Sequence, residues 1–287
     1  MENIPVRNIN TTETAGEPSS NFNIRDVRDI LEGTDMIQEL HRHNFFYVLA
    51  LKKGKGAHDI DFNPYKVSDN TVFFMRPGQV HHLTLKAGST GYMMAFRNDF
   101  YSPPDKAGHQ LLRKASSMNY YQSDNDGFKK LHTPLAHIFG EFNSKQEQYQ
   151  EAIRANLQIF LIELTRQHNK ASAGNVNLYT QERLEEFMNL LETHITSIKQ
   201  ASAYADMLHL SLYQLNTITK ATLGKTCSEM ISEQIVLESK RYLLAGSSQI
   251  IQIADHLGYE DVSYFIRFFK KHTGYTPEVF RQQFRSM

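Results

Sequence analysis

"IADHLGYEDVSYFIRFFKKHTGYTPEVFRQQFR", Ile253 to Arg285, decides how this chain is organised. Ile250, Ile253, Ala254 and Leu257 recur at helical steps, and Gly258 follows where a left-handed residue ends a helix. Ser247 or Ser248 can cap that first helix, and Asp261 the next, "VSYFIRFFKKHTG". In the second helix Phe265, Phe268 and Phe269 stand at i, i+3 and i+4, an apolar stripe that reads as core. Gly274 closes it. Thr276-Pro277 opens a third helix, with proline at the first helical position, where its missing N–H costs nothing. Two short helices around a glycine turn make a helix-turn-helix.

The opposite face of the second helix is basic. Ser263, Arg267, Lys270 and Lys271 fall at i, i+4, i+7 and i+8, and from Val262 onward Arg267, Lys270, Lys271, Arg281 and Arg285 face Glu278 alone. Formal net charge is zero over 287 residues, so any nucleic-acid surface must be local. One basic helix is equally an ordinary solvated face.

A second copy of the grammar decides between the two. In "YADMLHLSLYQLNTITKATLGKT", Ser202 can cap a helix carrying Ala205 and Leu208, a His209-Leu210 turn follows, and Ser211 caps the next helix. Aligned on their caps, Ala205 matches Ala254, Leu208 matches Leu257, Leu215 matches Phe265 and Lys220 matches Lys270, with Glu260 as one extra turn residue in the second copy. Between the copies, "SEMISEQIVLESKRYLLAG" is periodic through Ile231, Ile235, Leu237, Leu243 and Leu244. A helix of about 17 residues spans about 25 Å, a spacer suited to two helices in adjacent major-groove segments about 34 Å apart.

This double arrangement resembles the AraC/XylS family of transcription regulators. The match is carried by Ile253-Ala254, Gly258-Tyr259, Tyr264-Phe265, Arg267, Phe269-Lys270, Gly274, Thr276-Pro277, Phe280 and Arg281. Position by position, the resemblance puts the base-reading sites on Tyr213, Asn216 and Thr217 in the first motif. In the second they fall on Val262, Ser263, Ile266 and Arg267. Lys220, Lys270 and Lys271 are adjoining candidates for DNA contact, lysine being suited to flanking phosphates. Thr217 and Thr219 depart from the arginine and phenylalanine common there, which implies a weaker first reader.

The rest of the chain has a different texture. Residues 1–20 read as a polar arm, without the basic start and apolar run of a secretory signal. From about 22 to 100, "NFFYVLALKKGKG", "DIDFNPYKVSDNTVFFMRPGQVHHL" and "TGYMMAFR" read as short strands broken at Asn-Pro and Pro-Gly, with no helix between them. "SPPD", Ser102 to Asp105, ends that region. Tyr149, Ile153, Leu157, Phe160, Leu161 and Leu164 then form a helical stripe, widened by Ile159 and Ile162 toward a helix pair or a dimer contact. "HNKASAGNVN" is small and polar, an interdomain linker at 168–178. The single cysteine, Cys227, rules out an intramolecular disulfide and reads as structural. No stretch approaches the roughly 18 apolar residues of a membrane span.

"HRHNFFY" and "PGQVHHL" resemble the two halves of a cupin motif. His41 and His43 have the ligand spacing and His81 or His82 could join them, but the carboxylate position falls near Tyr47 and no Asp or Glu lies between His43 and Asp59. No metal, cofactor or catalytic residue is therefore assigned. Phe45, Tyr47, Phe73, Met75, Met94 and Phe96 suit a small-molecule pocket or a core equally well.

The expectation is an α+β chain. Residues 21–167 form a cupin-like β-barrel with a helical pair, for ligand sensing and dimerisation. Residues 179–287 form an all-α domain with two helix-turn-helix motifs joined by a linker helix. His43, Phe45, Tyr47, Met75, His81 and Met94 are the candidate effector-binding residues. The polar start and the lack of an apolar span point to the cytoplasm, and the resemblance implies a regulator that is more often an activator than a repressor. Its partners would be double-stranded DNA, a small-molecule effector, a second copy of the chain and RNA polymerase. The rival is a cupin-type metalloenzyme with a helical interaction domain.

Overall fold

The computed structural model describes residues 6–7, 9, 21–101, 106–171, 178–245 and 248–284. It divides into two compact units, Pro5–Ala173 and Gly174–Met287.

The first unit begins with β1 (Val6–Arg7), β2 (Phe22–Asp26), α1 (Val27–Leu31), β3 (Met36–His43), β4 (Phe46–Lys53), β5 (Gly56–Ile60) and β6 (Asn63–Val67). It continues with β7 (Thr71–Met75), β8 (Val80–Leu85), β9 (Thr90–Phe96), α2 (Lys106–Ser116), β10 (Tyr120–Gln122), α3 (Asn125–Ser144) and α4 (Tyr149–Ala171). The strands form two five-stranded sheets, β1-β3-β8-β5-β6 and β10-β7-β4-β9-β2. They are separate sheets and do not close into the expected barrel.

One core lies between the sheets: Tyr47, Leu49 and Leu51 of β4 and Phe73 and Met75 of β7 meet Ile60, Val67, Leu83 and Leu85. A second core lies behind the β4 sheet, where Val48, Ala50, Val72, Phe74, Met94 and Phe96 meet Leu131, Leu135, Ile153, Leu157, Phe160 and Leu164 of α3 and α4. β4 is thus covered on both faces, which is why "FYVLAL" is a continuous apolar run rather than an alternating one. The helical pair is present, and Ile159 remains half exposed.

Several local expectations are corrected. α1 lies in the region read as strand only; Asp26 caps it by accepting from the Arg28 N–H. β10 adds an edge strand beside β7 that the sequence reading did not foresee. The β5–β6 turn sits at Asp61-Phe62, both at positive φ (48° and 69°), not at the Asn-Pro. The Asp61 carboxylate is fastened there by Gln79 Nε2 and the Val80 N–H. Pro64 is inside β6 instead, tolerated because β6 is a sheet edge. α4 is helical through Ala171, past the expected linker start at 168; residues 172–177 and the Ser-Pro-Pro-Asp segment lie outside the described residues. So does the arm, apart from Val6–Arg7, paired parallel to Arg42 and His43 of β3, and Ile9.

The second unit is wholly helical: α5 (Leu178–His194), α6 (Ala201–Met207), α7 (Leu212–Leu223), α8 (Cys227–Ala245), α9 (Ile250–His256), α10 (Val262–Thr273) and α11 (Pro277–Phe284). Helix pairs α6–α7 and α9–α10 are the two motifs, and α8 joins them. Among the described residues no helix is long and apolar enough to cross a membrane.

Candidate nucleic-acid interface and ligand pocket

The two motifs repeat one another down to single hydrogen bonds. In the first turn the N–H groups of His209 and Leu210 donate to Asp206 and Ala205; in the second, those of Gly258 and Tyr259 donate to Asp255 and Ala254. His209 and Gly258 both adopt the left-handed conformation, at φ 55° and 70°. Glycine is enforced at the second turn, since a Cβ on Gly258 would stand 2.1 Å from the Thr196 carbonyl oxygen.

Ser211 caps α7 by accepting from the Gln214 N–H, and the Gln214 side chain reaches back to the Ser211 N–H. Asp261 caps α10 by accepting from the Ser263 N–H. Gly224 and Gly274 close these helices in the left-handed conformation. The first helices start differently from the expectation. Their N-caps are Gln200 and Gln249, so Ser202 lies inside α6 and Ser248 does not cap α9; Ser247 lies outside the described residues.

The division of faces on α10 is clear. Phe265 and Phe269 are fully buried, and Phe269 meets Phe280 of α11 edge-on at 5.5 Å. Ser263, Arg267, Lys270 and Lys271 are exposed, while Val262 and Ile266 are half-buried. The Arg267 guanidinium lies 3.8 Å from the Asp261 carboxylate, a solvent-exposed pair that holds the side chain beside the start of the helix. Lys270 and Lys271 in the last turn oppose the negative end of the helix dipole.

On α7, Leu215, Ile218 and Thr219 are buried, and Tyr213, Thr217 and Lys220 are exposed, Tyr213 at 81%. Asn216 is placed otherwise: its Oδ1 accepts the Cys227 N–H at 2.9 Å, so it anchors the first turn of α8. Cys227 is buried against Thr219, and burial pushes its thiol above the usual range, as for an inert structural thiol.

Arg281, counted with the basic patch, is also committed elsewhere. Its guanidinium donates to the carbonyls of Leu243 (3.2 Å) and Ser248 (2.6 Å) and pins α11 to the end of α8. Arg285 lies outside the described residues. Lys199, missed in the sequence, donates to the Gly258 carbonyl at 2.9 Å and lies 4.9 Å from the centre of the Tyr259 ring, tying the segment before α6 to the second turn. Burial lowers its pKa. No periodicity marks such a loop residue; only the tight glycine it packs on could have hinted at it.

In the first unit a cavity of about 160 Å³ is lined by Ile9, Asn23, Arg25, Ile30, Gln38, His43, Phe45, Tyr47, Met93 and Ala95. His43, Phe45 and Tyr47 are thus brought together as expected. Met94 is not with them. β4 and β9 pair Tyr47 with Ala95 and Leu49 with Met93, and cross-strand partners share a face, so Met93 and Ala95 point inward and Met94 points to the helices. Met75 and His81 are buried in the same inter-sheet interior but do not line the cavity. Arg25, Asn23, Gln38 and Ile9 were missed; each belongs to a segment whose pairing partner the sequence does not name.

Two family models match the chain: an AraC-like ligand binding domain over residues 32–164 and a helix-turn-helix domain over 204–283. Among curated proteins, the chain is 25% identical over 250 residues to the HTH-type transcriptional activator RhaS of Escherichia fergusonii, covering 84% of this chain and 87% of that protein. It is 22% identical over 246 residues to RhaS of Escherichia coli O1:K1 / APEC, again covering 84% and 87%. Among solved structures, ToxT from Vibrio cholerae O395 aligns over 93% of this chain and 99% of its own at 14% identity, with a TM-score of 0.44, too loose a likeness to carry an argument.

Proposed function

We propose a mode of action for a chain that belongs to the AraC-type helix-turn-helix transcription regulators, with an AraC-like ligand-binding domain ahead of its DNA-binding motifs. α10 lies in the major groove with Ser263 and Arg267 on base edges and Lys270 and Lys271 on phosphates. α7 occupies a neighbouring segment through Tyr213, Thr217 and Lys220. The observation that carries this reading is the exposed polar and basic face of α10 beside its fully buried phenylalanines. Helix α8, at 19 residues, spans about 28 Å, a length suited to holding two readers near one turn of DNA apart.

In this reading the first unit senses a small molecule in the cavity. Among the described residues the lining holds Arg25, Asn23, Gln38, His43 and Tyr47 and no carboxylate, which favours a neutral or anionic effector over a cation. Ile9 lines the same cavity and β1 pairs with β3 beside it, so filling the cavity acts on how the arm is held. The half-exposed Ile159 of α4 belongs to a contact between two copies. The RhaS proteins are named activators. By analogy this chain recruits RNA polymerase in the cytoplasm and catalyses no reaction. The family membership favours this role over a cupin-type enzyme.

Selection of the full chain against a randomised duplex library tests the reading. Enrichment of one bipartite site, with binding that falls steeply as salt rises, is the expected result. Binding without sequence preference, or none, contradicts it.

A further inference from the structure

The two helix-turn-helix motifs repeat one another, but their turns differ in what lies beside them. The left-handed residue of the first turn, His209, is exposed. Its counterpart Gly258 lies against the segment between α5 and α6. A Cβ there would stand 2.1 Å from the Thr196 carbonyl oxygen and 2.8 Å from Lys199 Nζ. The need for glycine at one turn and not at the other marks the place where the entrance of the first motif meets the turn of the second.

The contact is polar at its centre and apolar around it. The Lys199 ammonium donates to the Gly258 carbonyl at 2.9 Å, with the Thr196 carbonyl at 3.5 Å as a weaker partner. It also lies 4.9 Å from the centre of the Tyr259 ring, within reach of a cation–π contact. Tyr259 in turn meets Phe265 and Phe268 of α10, with ring centres 5.3 and 5.9 Å away. Tyr259 and Phe268 both pack on the core of the first motif, built from residues such as Phe187, Tyr204 and Leu215. The segment that carries Lys199 is itself fixed. Its Ile198 N–H donates to the His194 carbonyl at 2.7 Å, and the Tyr204 hydroxyl of α6 donates to the Ile198 carbonyl at 2.7 Å.

We infer that Lys199 is a positioning residue for DNA recognition: it locks the angle between α7 and α10 and so sets which spacing of half-sites the chain accepts. This rests on the reading of α7 and α10 as the DNA-contacting helices. A joining helix such as α8 sets a separation, while hinge and twist at its ends are removed only by a second attachment elsewhere. The lock reaches α10 through Phe265 and Phe268, and Arg267, on the exposed face, is not part of it. One inserted base pair moves a half-site by about 3.4 Å along the duplex and about 34° around it. A locked pair of readers cannot follow that change, and a hinged pair can.

Two readouts on the full chain test the inference. In the first, binding is measured to the selected bipartite duplex, to the same duplex with one base pair inserted between its half-sites, and to single-base variants within them. Lys199→Met keeps the length of the side chain and removes its charge and donors. It should cut the penalty of the insertion about tenfold, the scale of one lost hydrogen bond from a charged group, and leave the single-base preferences as they were. Lys199→Arg, which keeps charge and donors, should keep the spacing preference. The second readout needs no DNA. Spin labels on Ala221→Cys of α7 and Lys271→Cys of α10, both exposed positions, report the distance between the helices by pulsed electron paramagnetic resonance. One narrow distribution is expected, broadened by Lys199→Met. Should the chain select no bipartite site, the DNA reading fails and this distance still decides the lock. Should Lys199→Met fail to fold by circular dichroism, the distribution with Lys199 intact decides. A broad distribution with Lys199 intact, a width or an insertion penalty that folded Lys199→Met leaves unchanged, or a loss of base preference as large as that of spacing preference overturns the inference.

Discussion

Asn216 sits where the family resemblance puts a base reader, yet its side-chain oxygen accepts the Cys227 N–H at the start of α8. Losing such a cap costs about 0.5–2 kcal/mol. Asn216→Ala is therefore expected to lower unfolding stability in urea by that amount; an unchanged midpoint would return Asn216 to the reading surface. Arg281 is comparable, because its two carbonyl contacts make it a clamp between α8 and α11. Arg281→Met should cost about 1–3 kcal/mol of stability. It should leave the salt dependence of DNA binding unaltered, as a phosphate contact would not. The two turns differ in strain. Gly258 has no room for a Cβ, whereas His209 takes the same left-handed conformation with a side chain. Left-handed backbone costs a non-glycine residue about 1–2 kcal/mol. His209→Gly is expected to raise the thermal midpoint and Gly258→Ala to lower it, both read by calorimetry.

At the scale of elements, the helix-turn-helix pairs were legible because their signals are local. Caps at Ser211 and Asp261, left-handed glycines at Gly224, Gly258 and Gly274, and the Leu215 and Phe265 stripes all lie within a few residues of what they determine. The first-helix caps are not legible because serine is the commoner capping residue, while Gln249 succeeds by having the Gln252 side chain accept its N–H. Strands were less legible. The inward face of β9 depends on its register with β4, a long-range property, and so the sequence points to Met94 where Met93 and Ala95 line the cavity. Asp61 and Phe62 form a turn with no glycine, held by contacts to Gln79 and Val80 that no local pattern reveals. His58 meets His81 only because β5 lies beside β8. On α10 the proposed division between phosphate and base contacts makes a separable expectation. Lys271→Ala should weaken binding to all sequences alike and lower the slope of log affinity against log salt by about one.

For the whole molecule, zero net charge means that attraction to DNA cannot come from the chain as a body. In the proposed reading it comes from the exposed faces of α7 and α10, so neutralising a few residues there should abolish specific binding while the fold persists. The sensing unit is bound by the opposite condition. Its cavity is interior, and an effector that fills it is expected to raise its thermal midpoint by mass action. The most direct test of the central claim is the sequence preference of Arg267→Ala in the full chain, measured by binding to the selected duplex and to each of its single-base variants. The account predicts a loss of about 1–3 kcal/mol on the selected site and relaxed preference at one base pair, with the other positions still discriminated. An Arg267→Ala protein that binds with wild-type affinity and keeps its preference at every position would contradict it.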